Sequence, residues 1–583
     1  MKTSGDFWGR AVPALVIVFL LGSCALAAEK ATPSAANVAT PAPATPDPKL
    51  TPSSAASDAD LVKFINHAIR QSWKDAGITA SPAATDGEWC RRLFLDVIGR
   101  IPTVDELTAF LADKSPDKRR VLVETLLDSD KYVEEYARHG TAMWTNLLIG
   151  RPPAQRDRRR LVNREGMQQW LRRGLLKNKS YDAMVYELVS ATGCNKPGEE
   201  GYNGAVNFLL DNLQENATTA TAKTARFFLG LQIQCTQCHN HPFVADWKQD
   251  QFWGMNAFFR QTKALRTFAG RQEIDFVRLE NEDFPGESNK KPKDAEIYYE
   301  LRDGTTKVAY PTFVDGTEID HSGFADEVNR REELARLIVK SEFFGKAIVN
   351  RMWAHFLGYG FTKPIDDFGS HNAPSHPELL DRLGREFATR GHDLKQLTRW
   401  IVLSEPYSLS SKLGSKNRID NPALGEKPLF SHFYMRQMRA EELYESLLAA
   451  TEADKTKSDY EQQEKTKGAW LEQFTVAFGT DEGDDATTFD GTIPQTLMMM
   501  NGELIQNATK SEPGSFLYKV ATSNRTPAAK IKLLYLAALA RDPSKIEANV
   551  ANELLQARGG DSTAALQDVW WALLNSNEFI LNH

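Results

Sequence analysis

The sequence predicts a mainly α-helical protein, with two helical domains and a small β-hairpin insert between them. Three observations carry this prediction. Apolar residues recur at helical spacing over most of the chain, and cap signatures open several of those stretches. The helical period is lost from about 264 to 320, where two β-rich runs flank Asp303-Gly304. At about 150 residues per domain the length suggests two to four domains. Lys+Arg total 70 and Asp+Glu 77, a net charge of -7, which argues against a dedicated nucleic-acid binder. Five cysteines exclude a disulfide-dense scaffold.

Residues 1–28 read as an export signal. Lys2 and Arg10 make a basic start, Ala11 to Gly22 is apolar apart from Pro13, and Ala25 and Ala27 form a small-residue site for cleavage after Ala27. The run is shorter than the roughly 20 apolar residues that span a bilayer, which disfavours a retained anchor. A competing reading is a lipoprotein signal: Leu21-Gly22-Ser23-Cys24 resembles a lipobox, and Cys24 would then carry a lipid tether to the membrane. Residues 29–57 are nearly all Ala, Pro, Thr and Ser, an extended linker. The expectation is an exported protein of the periplasm or cell envelope.

The first helical domain is placed at 58–263. Thr103 to Glu106 is a capping box, and Ser115-Pro116 is expected to cap the next helix. Helical patterns follow over 131–149, 164–178, 180–192 and about 218–234. The insert is placed at 264–324, with Ile297–Leu301 and Thr306–Tyr310 as its hairpin. The second helical domain is placed at 325–583. It opens at Asn329 with Glu332 completing a cap pattern and continues through Val349 to Phe356. Further helices fit 376–389, capped by Ser375, then 393–404, 439–452, 528–540, 544–557 and 562–575. The charged stretch 453–485 is expected to be a loop. No repeat of fixed period is present.

Cys235, Cys238 and His239 form the Cys-x-x-Cys-His pattern of c-type haem attachment. Two thiols about one helical turn apart each reach one haem vinyl group. On a helix ended by Pro242, His239 would share the face of Cys235 and reach the iron as proximal ligand. Five cysteines fall at i,i+3 in roughly 3% of random chains of this length, and a following His makes chance rarer still. Zinc is an alternative, held by Cys235, Cys238 and His241 with Cys194 or another His as the fourth ligand. A Cys235–Cys238 disulfide with no cofactor is another. Met255, His139 and His355 are the candidates for a sixth iron ligand.

A second polar constellation gathers Asp366, Asp367, His371, His376 and Glu378, with Arg351 and His355 nearby. Paired carboxylates with His suit a divalent metal or acid–base work, as in a metal-dependent hydrolase. The structural alternative has Asp366-Asp367 in a turn paired with Arg351. The basic run Arg151 to Arg173 would face solvent, an acidic glycan or a partner.

Arg91-Arg92-Leu93-Phe94-Leu95-Asp96 through Gly99-Arg100-Ile101-Pro102, with Phe228-Leu229-Gly230 through Cys235-x-x-Cys238-His239-x-His241-Pro242-Phe243 and then Ala257-Phe258-Phe259, resembles a cytochrome-like domain of unknown function abundant in planctomycetes and related bacteria. Asn350 to Phe356, Asp366-Asp367-Phe368-Gly369, Pro374 to Leu380 and the ending Trp571 to Phe579 resemble the planctomycete-specific domain that usually follows it. Together the two would cover about residues 60–580. The resemblance implies a cytochrome-type protein, with Cys235, Cys238 and His239 as its motif. Asn240 stands where an acidic residue is often found. Many relatives carry a further cytochrome c domain at the N-terminus, where this chain has the linker, so electron transfer would call for a redox partner. The usual companion, an exported sulfatase-like protein, is a further expected partner. The other function class in view is a non-redox envelope protein that binds carbohydrate or scaffolds an enzyme.

Overall fold

Side-chain caps set where many of the helices begin. The computed structural model describes residues 57–583, apart from 152–159, 246, 271, 288–290, 457–458 and 480–491. The export signal, Cys24, all of the linker but Ser57, and Arg156, Arg158 and Arg159 lie outside the described residues. Ser57 caps Asp58–Asp75, Thr85 caps Asp86–Ile98, and Thr103 with Glu106 forms the expected capping box on Val104–Ala112. The first of these helices buries Leu61, Ile65 and Ile69 at four-residue spacing. Full burial of such side chains is worth about 2 kcal/mol each.

The helices Lys118–Asp128, Val133–Ile149, Arg164–Leu176 and Tyr181–Ser190 follow, then Gln214–Thr224 and Gln249–Ala257. Lys118–Asp128 starts two residues later than Ser115-Pro116 implied. Asp117 is its N-cap, and Ser115 accepts from the Asp117 N–H instead. The fold is mainly helical with small antiparallel sheets, as expected. In one sheet Ile274–Asn281 is central, flanked by Thr262–Phe268 and Gly193–Cys194. The predicted hairpin is Ile297–Glu300 against Thr306–Ala309, and Gly304 takes φ +82° at its tip.

Asn329 caps Arg330–Lys340 as expected, but Ser341 ends that helix and caps the next, Glu342–Leu357. Pro377–Thr389 is capped at His376, not by Ser375, whose hydroxyl bonds to His376 Nδ1 at 2.9 Å. The expected loop at 453–485 is largely the helix Tyr460–Phe478. Trp470, Phe474 and Phe478 lie four residues apart on it and bury one face, which overrides its charged composition.

Four buried arginines act as internal ties. Arg91 donates to the Phe579 and Leu581 carbonyls at 2.6 and 3.1 Å. Arg92 donates to the Leu409 carbonyl at 2.9 Å and lies 3.6 Å over the Phe433 ring. Arg330 and Arg331 bond to the carbonyls of Ala257, Ala295 and Ala191. Each guanidinium satisfies carbonyls that would otherwise be buried without partners. One apolar core takes residues from both sides of the insert, from Leu61 through Phe228 to Trp353 and Tyr434. A second joins Leu95 and Ile101 to the C-terminal helices, through Leu443, Trp470 and Trp570.

Candidate functional site

The cysteine motif hangs from the end of a helix that cannot continue. Gln214–Thr224 runs into a wider turn, Ala225–Leu229, which stops at Gly230 with φ +66°. A Cβ there would lie 2.6 Å from the Phe368 ring. The Phe368 N–H donates to the Gly230 carbonyl at 2.8 Å, so the residue must be glycine on two counts. Asp366 is buried beside this junction. It accepts from Arg226 at 2.5 Å and Gln232 at 2.8 Å, with Arg351 at 3.7 Å. These bonds account for Asp366 as a structural clamp.

The motif itself is not on an α-helix. Gln234–Gln237 forms a single 3₁₀ turn, fixed by Thr236 donating to the Ile233 carbonyl at 2.6 Å. Pro242 therefore ends no helix, and the expected i,i+4 face shared by Cys235 and His239 does not form. Gln249 and Trp253 hold the turn from behind through the Gln237 carbonyl. Cys235 is half-buried and Cys238 exposed, and both are free thiols, as are the buried Cys90 and Cys194. Burial raises the Cys235 thiol pKa. The half-buried His239 donates from Nδ1 to the Asn240 carbonyl at 2.7 Å, which leaves the Nε2 lone pair as its ligating position. Cys194 lies on the sheet edge, paired across to Arg278.

His241 is held by the backbone of its own loop. Its Nδ1 accepts from the Phe243 and Val244 N–H groups at 3.2 and 3.1 Å, which requires the neutral ring. Burial and the neighbouring His371 lower its pKa, in keeping with this. Its ring centroid lies 5.7 Å from that of His371, and Phe243 lies 5.3 Å from His371. His371 Nε2 is 3.0 Å from Asp367, whose other oxygen accepts from the Gly369 N–H. The structure thus brings His241, Asp367 and His371 to the cysteine motif. His376 lies apart, buried against Phe361 and Phe430, and burial lowers it to about 4. Among the described residues no group of three or more His, Cys, Asp or Glu is placed to hold a metal ion.

A second polar centre was not legible in the sequence. Asp96 is fully buried and accepts from Tyr407 at 2.7 Å, Asn582 at 2.7 Å and Arg436. Burial raises it to about 6, with Arg436 opposing. Burial also works against the charge on Glu442, but Arg436 and Arg439 outweigh it and hold that carboxyl well below the usual range. His355 donates from Nε2 to the Asp96 carbonyl at 3.2 Å and accepts from Arg439 at Nδ1. His139 lies 6.1 Å from His355, ring to ring, and 3.9 Å from Glu442. Burial lowers both histidines, His139 to about 4. Met255 is fully buried in the apolar core. His139 and His355 are therefore committed to this centre.

Residues 64–264 match the family model PSCyt2, a protein of unknown function (DUF1549), and residues 330–555 match PSD1, a protein of unknown function (DUF1553). The chain carries a PSCyt2 domain followed by a PSD1 domain. PSCyt2 is named as a planctomycete cytochrome-like domain of unknown function, and PSD1 is likewise a planctomycete-type domain of unknown function. No curated protein and no solved structure matches the chain. Both polar centres draw on both domains. PSCyt2 supplies the cysteine motif and Arg226, and PSD1 supplies Asp366, Asp367, Phe368 and His371. PSCyt2 likewise supplies Asp96 and His139, and PSD1 supplies His355, Tyr407, Arg436, Arg439 and Glu442.

Proposed function

We propose that this chain is an exported redox protein that carries haem c at Cys235 and Cys238, with His239 as the proximal iron ligand. The observation that carries the reading is the state of His239. Its Nδ1 is spent on a backbone carbonyl beside two free thiols, so Nε2 is left to bind a metal. The donor set fits: two unpaired sulfurs within one turn and one oriented imidazole, in a surface loop that a haem-attaching enzyme can reach. When bound, the haem supplies one-electron exchange. The chain's own residues do the rest. Thr236, Gln249 and Trp253 fix the turn that spaces the thiols, and the Asp366 clamp holds that turn against the second half of the protein. Phe243, 71% exposed beside His371, offers an apolar surface next to the motif.

Export follows from this reading, because haem c is attached outside the cytoplasm, and a lipidated Cys24 would tether the protein to the membrane. A redox partner would receive the electron, and the exported sulfatase-like protein is a further partner in this reading. The test is expression in a periplasm equipped for haem c maturation, followed by a haem stain on a denaturing gel and a reduced-pyridine spectrum. Covalent haem is expected in the wild type and is lost in Cys235→Ala. Protein that folds there without haem overturns the reading. Metal analysis of that protein would then separate a structural zinc at the motif from a disulfide, the two forms of the non-redox envelope reading.

A further inference from the structure

His241 takes no part in holding haem, yet its ring organises the chain that follows the motif. Its Nδ1 accepts from the Phe243 and Val244 N–H groups at 3.2 and 3.1 Å, and its ring packs edge-on against Trp247, 5.2 Å between centroids. The chain is turned back by these contacts, and the Trp247 carbonyl accepts from the His241 N–H at 2.8 Å. Two residues beyond Trp247, the Gln249 N–H donates to Asn240 Oδ1 at 3.3 Å. The peptide between Asn240 and His241 is thereby anchored through both of its residues. With Nδ1 accepting, the His241 proton is on Nε2, and neither ring nitrogen has a lone pair to offer a metal.

That peptide carries the carbonyl on which His239 depends. A trans peptide is planar, with its N–H and C=O pointing in opposite directions, so holding one aims the other. With the His241 N–H held by Trp247, the Asn240 carbonyl is turned to His239 Nδ1 at 2.7 Å. A carbonyl only accepts, so the His239 proton is on Nδ1 and its lone pair on Nε2. The accepting nitrogen of His241 does for this loop what a side-chain oxygen does in an Asx turn, and the amide oxygen of an Asn can take its place.

We propose that His241 and Asn240 are positioning residues for His239: they aim the Asn240 carbonyl at His239 Nδ1 and so present Nε2 as the ligating atom. The link to iron rests on the haem reading; the choice of tautomer does not. With haem bound, a hydrogen bond at Nδ1 raises the basicity of the imidazole and so lowers the reduction potential.

The test is nitrogen NMR of the histidine rings in the mature, haem-free protein at mildly alkaline pH, with His239→Ala to assign the signal. His239 is expected as the Nδ1–H tautomer. His241→Ala should lower its ratio of Nδ1–H to Nε2–H about fivefold, the worth of one net hydrogen bond, and Asn240→Ala should lower it in the same direction. His241→Asn keeps an acceptor in place and should restore the wild-type ratio. In the haem-loaded protein the reduction potential should rise in His241→Ala and return to the wild-type value in His241→Asn. Should His241→Ala fail to fold, Asn240→Ala and His241→Asn carry the test. An Nε2–H tautomer in the wild type, an unchanged ratio in the alanine variants, or a His241→Asn protein that behaves as His241→Ala would each overturn the proposal. Wild type that takes up no haem overturns the haem reading instead, and the tautomer ratios still decide this one.

Discussion

Gly230→Ala probes the junction from which the cysteine motif hangs, and its cost divides into two separable parts. The first is conformational. Gly230 sits at φ +66°, where a residue with a Cβ costs about 1–2 kcal/mol. The second is steric. The new Cβ would stand 2.6 Å from the Phe368 ring, closer than carbon atoms approach, and overpacking of this kind costs about 1–3 kcal/mol. Together they predict a loss of about 2–5 kcal/mol, read as a lower urea midpoint by circular dichroism. Repeating the change in a Phe368→Leu background separates them. With the ring gone, the steric part should vanish and about 1–2 kcal/mol should remain. Equal losses in the two backgrounds would show that Phe368 does not press on Gly230. A loss below about 0.5 kcal/mol in both would refute the left-handed turn itself.

Three further outcomes are expected. Arg436→Met strips the counter-ion from buried Asp96 and Glu442 and should cost about 3–5 kcal/mol in the same assay; a cost near zero would mean the pair is not buried together. Phe474→Ala should cost about 3–5 kcal/mol while Val476→Ala, on the exposed face, costs under about 0.5; equal small effects would restore a loop at 460–478. Burial holds His139 at about 4, below the 6.5 of the unfolded chain, so the unfolded state takes up protons first and stability is lost as pH falls below 6.5. Between pH 7.5 and 5.5 His139→Asn should remove about 1 kcal/mol of that loss, and an unchanged pH slope would refute the shift.

What the sequence disclosed depended on distance along the chain. The Thr103–Glu106 box, the Asn329 cap and the Asp303-Gly304 hairpin were legible because each is settled within about five residues. Tyr460–Phe478 was obscured by its charge, although Trp470, Phe474 and Phe478 already carried a four-residue spacing. The cysteine motif was legible as chemistry but not as geometry: helical spacing was assumed, and the Gly230 stop with the 3₁₀ turn after it decides the shape. Asp366 and Asp367 looked like a carboxylate pair of their own. The donors to Asp366, Arg226 and Gln232, lie more than 130 residues away, while Asp367 pairs with His371 four residues on. Asp96, His139 and His355 each stood out singly in the sequence, but not as one centre, since the residues that meet there are as far apart as Asp96 and Asn582, 486 residues.

The same distances argue that the two family domains do not fold as independent units. Asp96 is fully buried in PSCyt2, yet the arginine that neutralises it and the tyrosine that donates to it both come from PSD1. Asp366 is buried in PSD1 and is held by Arg226 and Gln232 of PSCyt2. A cut within the insert would leave each half with a carboxylate stripped of its donors and a torn apolar core, because residues from both sides share one. An unpaired buried charge alone costs about 3–5 kcal/mol, a large part of a typical domain's stability. Residues 58–324 and 325–583 expressed separately should therefore be insoluble or lack a cooperative unfolding transition, and co-expression should restore both. A cooperative transition in either half alone would show that its buried carboxylate finds another partner, and would refute the argument that the two centres bind the halves into one structure.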